Sequence, residues 1–357
     1  MFIGKMDACP LLRKLTIRKI WNFLLLSLSY FLSTLLKRHF LWGYLSGLAI
    51  EPSSLCNLSC PECPAGTNNL SRGKGFMNLE LFNKILDETG SYITFLTLYF
   101  QGEPFLNNQL FDMIKRAVEK NIYTATSTNG HFLTTENVRG IIESGLDRLI
   151  ISVDGTTQEV YEKYRVGGVL KTVISGIEEV VKWKKKLHSS KPFVIINFLA
   201  LRTNEHQIKD IKKLGKKLGV DKVVIKTAQI NDMSCRNDLV PASEKLTRYK
   251  FVDGHYELKN KLANRCRRVW SSPVITFDGY IVPCCFDKNA EYPMGEITVA
   301  NFRNIWFGDC FKAFRERILK ERKTINICRN CTSGQTVFVL KKGNKGKNGI
   351  MGRWKIV

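Results

Sequence analysis

The sequence predicts an α/β protein: a parallel sheet wrapped by repeated βα units, followed by a smaller Cys-rich segment of β-hairpin and helix. Three observations carry that prediction. From residue 48 to about 227, short apolar, β-rich runs alternate with longer segments of helical period, the pattern of consecutive βα units. Directly after the first apolar run, Cys56, Cys60 and Cys63 stand at C-x3-C-x2-C spacing. Beyond residue 262 come Cys266, the pair Cys284-Cys285, Cys310, and Cys328-Arg329-Asn330-Cys331.

At 357 residues and 44% hydrophobic content the chain can bury a core large enough for one large domain and a smaller one. Eleven Cys, an odd number in CxxC-type clusters, argue for metal ligation in a reducing, cytoplasmic compartment rather than a disulfide framework. The formal charge is +23; residues 1–50 carry +6 (seven basic, one acidic) and residues 341–357 another +6. Basic termini fit an anionic lipid surface slightly better than a nucleic-acid groove.

Residues 1–47 form an N-terminal extension. Ile20 to Leu36 carry no charge, lie between Arg18-Lys19 and Lys37-Arg38, and place Asn22, Ser29, Ser33 and Lys37 on one helical stripe. At ~1.5 Å per residue this amphipathic helix is about 26 Å long, short of the roughly 30 Å hydrocarbon core. It is expected at the inner face of a membrane or packed on the barrel, not spanning. Trp21, Tyr30, Trp42 and Tyr44 are types that favour interfaces. No small-residue cleavage site follows, which argues against a signal peptide.

Residues 48–227 are the predicted barrel. Its strands are Leu48 to Glu51, Phe95 to Phe100, Tyr123 to Ser127, Arg148 to Val153, Phe193 to Leu201 and Lys222 to Lys226. Helical faces are legible in Leu79/Phe82/Ile85/Leu86, Leu110/Ile114/Ala117, Val138/Ile141/Ile142 and Ile208/Ile211/Leu214/Leu218. Residues 228–262 read as a loop-like connector with a turn at Asp253-Gly254. Residues 263–335 form the Cys-rich domain, with a hairpin over Ile275–Pro283 turning at Asp278-Gly279 and a helix around Phe302 to Lys320. Residues 336–357 are a Lys/Gly-biased, basic tail expected to be disordered.

Three thiolates from one tight loop can hold three irons of a [4Fe-4S] cube and leave the fourth iron open to a second molecule. A structural zinc wants four ligands, and no fourth Cys or His lies near this loop. The loop, with Gln101-Gly102-Glu103-Pro104, Ser127-Thr128-Asn129-Gly130 and Ile151-Ser152-Val153-Asp154-Gly155 in that order at strand ends, resembles the radical S-adenosylmethionine (SAM) superfamily. The resemblance spans about residues 48 to 335. It implies a partial (β/α)6 barrel whose active site lies in the loops after the strands. It also implies that SAM chelates the open iron of a cube on Cys56, Cys60 and Cys63 and is cleaved reductively to a 5'-deoxyadenosyl radical, which abstracts a substrate hydrogen.

By the same resemblance, Gly102 and Glu103 meet the SAM amino group, and Ser127, Asn129, Ser152 and Asp154 meet its ribose and methionine portions. Arg165, in Tyr161-Glu162-Lys163-Tyr164-Arg165, pairs with its carboxylate, a task suited to a planar guanidinium. Two positions depart from the family pattern: Gln101 stands where a first glycine is usual, and Glu62 where an aromatic ring usually precedes the third Cys. Val223-Val224-Ile225 are expected to line the adenine. Lys226 points to the barrel mouth, where an anionic substrate group or a surface ion pair would account for it. His131, His206 and His255 read as structural.

The C-terminal arrangement resembles the SPASM/twitch extension of the same enzymes, which implies an auxiliary [4Fe-4S] cluster on Cys266, Cys284, Cys328 and Cys331. Cys285 is an alternative to Cys284. Six Cys are too few for two fully Cys-ligated cubes, so the short, one-cluster twitch form is expected. A four-thiolate zinc ribbon is the competing reading there. Cys9, Cys235 and Cys310 read as ordinary buried thiols. The implied partners are a sugar-type small molecule or a peptide or protein as substrate, and a flavodoxin or ferredoxin as reductant; no specific nucleic acid is expected. The rival classes are a non-catalytic, zinc-bearing module that binds nucleic acid and a membrane-associated enzyme of lipid-linked sugars.

Overall fold

The computed structural model describes residues 11–331, so Cys9 and the basic tail lie outside the described residues. Six parallel strands follow one another in space as in sequence: β1 (Gly47–Ile50), β2 (Phe95–Leu98), β3 (Tyr123–Thr128), β4 (Arg148–Ser152), β5 (Phe193–Ala200) and β6 (Lys222–Thr227). An N-terminal helix, α1 (Ile17–Leu36), precedes them. The crossovers carry α2 (Leu79–Thr89), α3 (Leu110–Glu119), α4 (Thr135–Glu143), the short α5 (Gln158–Glu162), α6 (Leu170–Lys186) and α7 (Ile208–Leu218). The sheet is a partial (β/α)6 barrel. Four of these helices follow the predicted apolar stripes. The long α6 was not among them, although Leu170, Val173, Ile177 and Val180 bury one face at helical spacing.

Residues on β5 show how the wall is built. Val194, Ile196, Phe198 and Ala200 are fully buried towards the helices, whereas Ile195, Asn197 and Leu199 face the lumen. Register carries this pattern across the sheet, since Asn197 pairs with Val224 and Leu199 with Lys226. Of the three residues expected to line the adenine, only Val224 therefore shares the lumen face. Val223 and Ile225 pack into the helical core.

Residues 228–262 are not plain loop. They contain a hairpin, β7 (Tyr249–Val252) and β8 (His255–Leu258), turning at Asp253 (φ 49°) and Gly254 (φ 83°). Within the two strands only Tyr249 and Tyr256 are buried, so the hydrophobic alternation is too sparse to read as strand. Next come α8 (Arg267–Ser271), β9 (Val274–Ile275), β10 (Tyr280–Val282) and β11 (Gly295–Glu296). The predicted hairpin is present, with Gly279 at φ 94°. It does not stand apart: β9 pairs in parallel with β1, Ala49 with Val274 and Ile50 with Ile275, extending the barrel sheet to nine strands. The single predicted helix is two, α9 (Phe302–Phe307) and α10 (Asp309–Glu321), interrupted where Gly308 is extended. A last short turn, α11 (Asn326–Arg329), carries Cys328.

One buried carboxylate joins these parts. Glu51, at the end of β1, accepts hydrogen bonds from Arg72 Nη1 (2.7 Å), from Arg72 Nη2, from Gln101 N (3.2 Å) and from Phe277 N (3.1 Å). The cluster loop, the end of β2 and the C-terminal hairpin are thus pinned at one point.

Helix α1 lies across the foot of the sheet, the end where strands begin. Of its predicted polar stripe, Asn22, Ser29 and Ser33 face inward, whereas Lys37 is exposed at the helix end. Asn22 donates to Tyr44 O and Leu45 O and accepts from Tyr44 N. Ser29 and Ser33 accept from Trp42 N and Phe40 N. Buried Lys19 donates from Nζ to Asn121 O (2.7 Å), just before β3. The helix is capped by Thr16, and Lys37 ends it in a left-handed conformation.

Candidate active site

The three thiols of the first loop sit at the mouth, just beyond β1, and the strand-end motifs converge on them. Asn129, after β3, donates from Nδ2 to Asn57 Oδ1 (2.7 Å) and stands 3.9 Å from Cys56 Sγ. Its own backbone N–H is held by Glu103 Oε2 (2.8 Å), and Glu103 N donates to Leu55 O (2.7 Å). Arg165 Nη1 lies 3.7 Å from Cys60 Sγ, while Ser59 N donates to Val166 O (3.1 Å). Leu58, Tyr164, Leu201 and Ala228 pack an apolar shell about Cys60. Burial pushes the Cys56 thiol up to about 11 and the Cys60 thiol up as well, the latter opposed chiefly by Arg165.

Gly102 is required by this packing. It adopts φ +69°, and a Cβ there would stand 2.5 Å from Ser53 O and 2.6 Å from Leu55 O. Gly102→Ala is expected to cost about 1–3 kcal/mol of stability and to displace the cluster loop, seen as a lower denaturation midpoint together with incomplete iron loading.

Asp154 stands differently from expectation. It is fully buried, and its two oxygens accept from Arg165 Nε (2.6 Å) and Leu199 N (2.6 Å). It therefore positions Arg165 rather than presenting itself to a ligand. Ser127 and Ser152 stay within β3 and β4, and among the described residues no side-chain hydrogen bond of theirs reaches the loop.

Three positioning residues escaped sequence reasoning. His131, read only as structural, accepts from Val169 N at Nε2 (2.8 Å), which leaves the proton on Nδ1 to donate to Asn129 Oδ1 (3.0 Å). Asn204 clamps Asp154 O and Leu199 O through Nδ2. Glu62 accepts from Asn231 N (2.7 Å) and Asn237 Nδ2 (3.0 Å), tying the cluster loop to the connector. Each depends on a partner far away in sequence: Val169 for His131, Asp154 for Asn204, and Asn231 and Asn237 for Glu62.

The second thiol set occupies the opposite end of the lumen. Cys266 precedes α8 at the foot, and the antiparallel return of β10 brings Cys284 and Cys285 back to it. Cys266, Cys284, Cys328 and Cys331 are buried, and Cys285 is half-buried. Arg268 Nη1 donates to Cys285 Sγ (2.7 Å) and buried Arg322 Nη2 to Cys331 Sγ (3.5 Å). Cys285 raises the Arg268 pKa, with Cys284, Cys266 and Cys331 adding to it. Cys266, Cys331 and Cys328 act likewise on Arg322, so the five thiols share one field with two guanidiniums. Cys235 and Cys310, expected to be buried, are both exposed.

Around a tetrahedral zinc four ligands share one ion at about 2.0–2.3 Å, whereas the thiolates of a cube bind different irons and stand farther apart. The arginines set against the thiols at both sites suit the negative charge of a thiolate-bound iron–sulfur cube.

Such a barrel, with a thiol triad at the mouth and a thiol cluster closing the foot, defines an iron–sulfur enzyme that uses SAM. Family models agree: the radical SAM superfamily model matches residues 50–215, and the model of SPASM, an iron-sulfur cluster-binding domain, matches residues 266–332. The chain belongs to the radical SAM superfamily and carries a SPASM domain. Its cofactors are [4Fe-4S] clusters and SAM. It is 26% identical over 310 residues to the tungsten-containing aldehyde ferredoxin oxidoreductase cofactor-modifying protein of Pyrococcus furiosus, covering 75% of this chain and 82% of that one. It is also 26% identical to the SAM-dependent 2-deoxy-scyllo-inosamine dehydrogenase of Niallia circulans, covering 81% and 93%. Among solved structures, BtrN in complex with AdoMet and 2-DOIA shares the fold at a TM-score of 0.51, with 19% identity and coverage of 81% and 94%. Streptococcus suis SuiB bound to S-adenosylmethionine does so at 0.56, with 14% identity and coverage of 76% and 68%.

Proposed function

We propose that this enzyme abstracts hydrogen from a carbon bearing a hydroxyl or amine, on a sugar-type molecule or peptide that also carries an anionic group, and oxidises that carbon. The observation that carries the substrate class is Lys226. Its side chain shares the lumen face with Leu199, is half-buried, and has no hydrogen bond or ion pair among the described residues. Burial lowers its pKa, while Asp154 from the mouth and Cys285 from the foot both raise it. A cation held between the two thiol sites suits a substrate anion placed between them.

Bound SAM and its cube would supply the radical that takes the hydrogen atom, and the auxiliary cluster would take the second electron as the hydroxyl or amine proton leaves to solvent. The residues of the chain divide the remaining work. Cys56, Cys60 and Cys63 hold the first cube, and Cys266, Cys284, Cys328 and Cys331 the single auxiliary one. Cys285 is left facing Arg268 and the lumen. Arg165, steadied by Asp154, offers its free edge to the SAM carboxylate, and Gly102 and Glu103 meet its amino group. The dehydrogenase among the relatives supports the oxidation, since it aligns with most of this chain. A cytoplasmic flavodoxin or ferredoxin fits as reductant.

Anaerobic reconstitution with iron and sulfide counting tests this reading. About eight irons per chain and dithionite-driven release of 5'-deoxyadenosine are expected; zinc in place of iron, without cleavage, would overturn it. Lys226→Gln should leave substrate-free SAM cleavage intact and abolish substrate oxidation.

A pH dependence follows from Glu103. Burial pushes its carboxyl up to about 7, against the pull of the Asn129 N–H, Thr128, the Phe105 N–H and Arg165. Below that value the native group holds its proton and loses its attraction for an ammonium. SAM affinity should therefore weaken by up to about tenfold per unit as pH falls below about 7, a slope that Glu103→Gln would flatten. In the ligand-free protein the sign is opposite: stability is lost as pH rises from the unfolded carboxyl value towards 7.

A further inference from the structure

We infer that α1, with Trp42 beside it, is a monotopic docking surface for an anionic lipid bilayer. The helix has its polarity turned inside out. Its polar residues Lys19, Asn22, Ser29 and Ser33 are buried against the foot of the barrel and satisfied by hydrogen bonds there. Its outer face is a continuous apolar stripe of Ile17, Trp21, Leu24, Leu28, Phe31 and Leu35, with Ile17 88%, Trp21 63% and Leu35 63% exposed. Trp42 is exposed as well. A water-facing helix places its polar residues outward, so a contiguous exposed apolar face marks an interaction surface.

Charge decides what covers it. Residues 11 to 45 hold six Lys and Arg and no Asp or Glu. Exposed Arg13, Arg18, Lys37 and Arg38 flank the two ends of the stripe, and Arg267 lies over Phe23 (5.2 Å from its ring centroid). A second copy of this helix, parallel or antiparallel, would bring cation against cation at both ends. An anionic headgroup layer meets those cations while the Trp and Phe rings enter the interface. Length and composition alone would let α1 cross a membrane. Crossing would strip Lys19, Asn22, Ser29 and Ser33 of their partners in the barrel, whereas lying flat keeps every one.

Because α1 lies at the foot, docking leaves the cluster loop and the mouth turned away from the bilayer. The surface therefore locates the enzyme without requiring a lipid substrate.

The test is flotation of the full-length, reconstituted protein with vesicles. Expected are co-flotation with phosphatidylcholine–phosphatidylglycerol vesicles, much weaker flotation with pure phosphatidylcholine, and weakening by added salt. The triple variant Trp21→Gln, Leu24→Gln, Phe31→Gln replaces only outward side chains. It should lose affinity about a hundredfold or more while keeping its iron content and substrate-free SAM cleavage. Equal flotation of variant and parent would overturn the proposal, as would no flotation on either vesicle. So would a dimer of the parent that these three substitutions dissociate, which would make a second copy the occupant.

Discussion

Alanine at Cys56, Cys60 and Cys63 together is expected to abolish formation of 5'-deoxyadenosine altogether, whereas alanine at Cys266, Cys328 and Cys331 should leave SAM cleavage in place. The difference follows from where the two sets stand. The first is built on the loop after β1 and braced by Asn129, Arg165 and Glu62. The second belongs to segments that meet at the foot around Arg268 and Arg322. Loss of Cys266, Cys328 and Cys331 removes ligands of the proposed auxiliary cluster but none of the Asn129, Arg165 and Glu62 side chains that brace the first loop. Iron counting and 5'-deoxyadenosine release on the same samples separate the outcomes. Cleavage that survived the first triple substitution would refute the assignment of the triad.

Arg72→Ala is expected to destabilise the fold by about 3–5 kcal/mol, the cost of leaving a buried carboxylate without its charged partner. For a protein whose total stability is of the order of 5–15 kcal/mol, that is a large fraction. Glu51 is fully buried and Arg72 nearly so. Burial already pushes the Glu51 carboxyl up, against the pull of Arg72 and of the Phe277 and Gln101 N–H groups. Without the guanidinium it rises further and the folded variant takes up a proton. The variant should then grow less stable, relative to the parent, as pH rises above the unfolded carboxyl value of about 4.3. Denaturant melts at acid and neutral pH check the sign. Arg72→Ala with Glu51→Gln should recover part of the loss; melts identical to those of Arg72→Ala would show that the charge is not its source.

Much of this molecule was legible in local sequence because the signals are local. The alternation of β-rich runs and helical stripes fixed six strands in order, and an Asp-Gly pair announced the hairpin turn at Gly279. The thiol spacing likewise marked the mouth. What escaped depended on contacts far apart in sequence. The pairing of β9 with β1 joins residues more than two hundred positions apart, and nothing in Val274-Ile275 names its neighbour. Asp154 showed as a motif residue, but its role as a prop for Arg165 needed the Leu199 N–H on another strand. The spacing of Asn22, Ser29 and Ser33 announces the polar stripe of α1, though not the exclusion of Lys37 from it. Its inward orientation was set by the carbonyls of Tyr44, Leu45 and Asn121, which only the folded barrel presents.

The pairing of β1 with β9 also acts as a ruler. β1 runs directly into the thiol triad at one end of the lumen, and the chain enters β9 from Cys266 at the other. The strands leading to both anchors share one ladder, Ala49 with Val274 and Ile50 with Ile275, so the spacing of the two sites is expected to follow the sheet rather than a hinge. Dipolar coupling between the two reduced clusters, read by pulsed EPR, should accordingly stay constant whether the lumen is empty or filled.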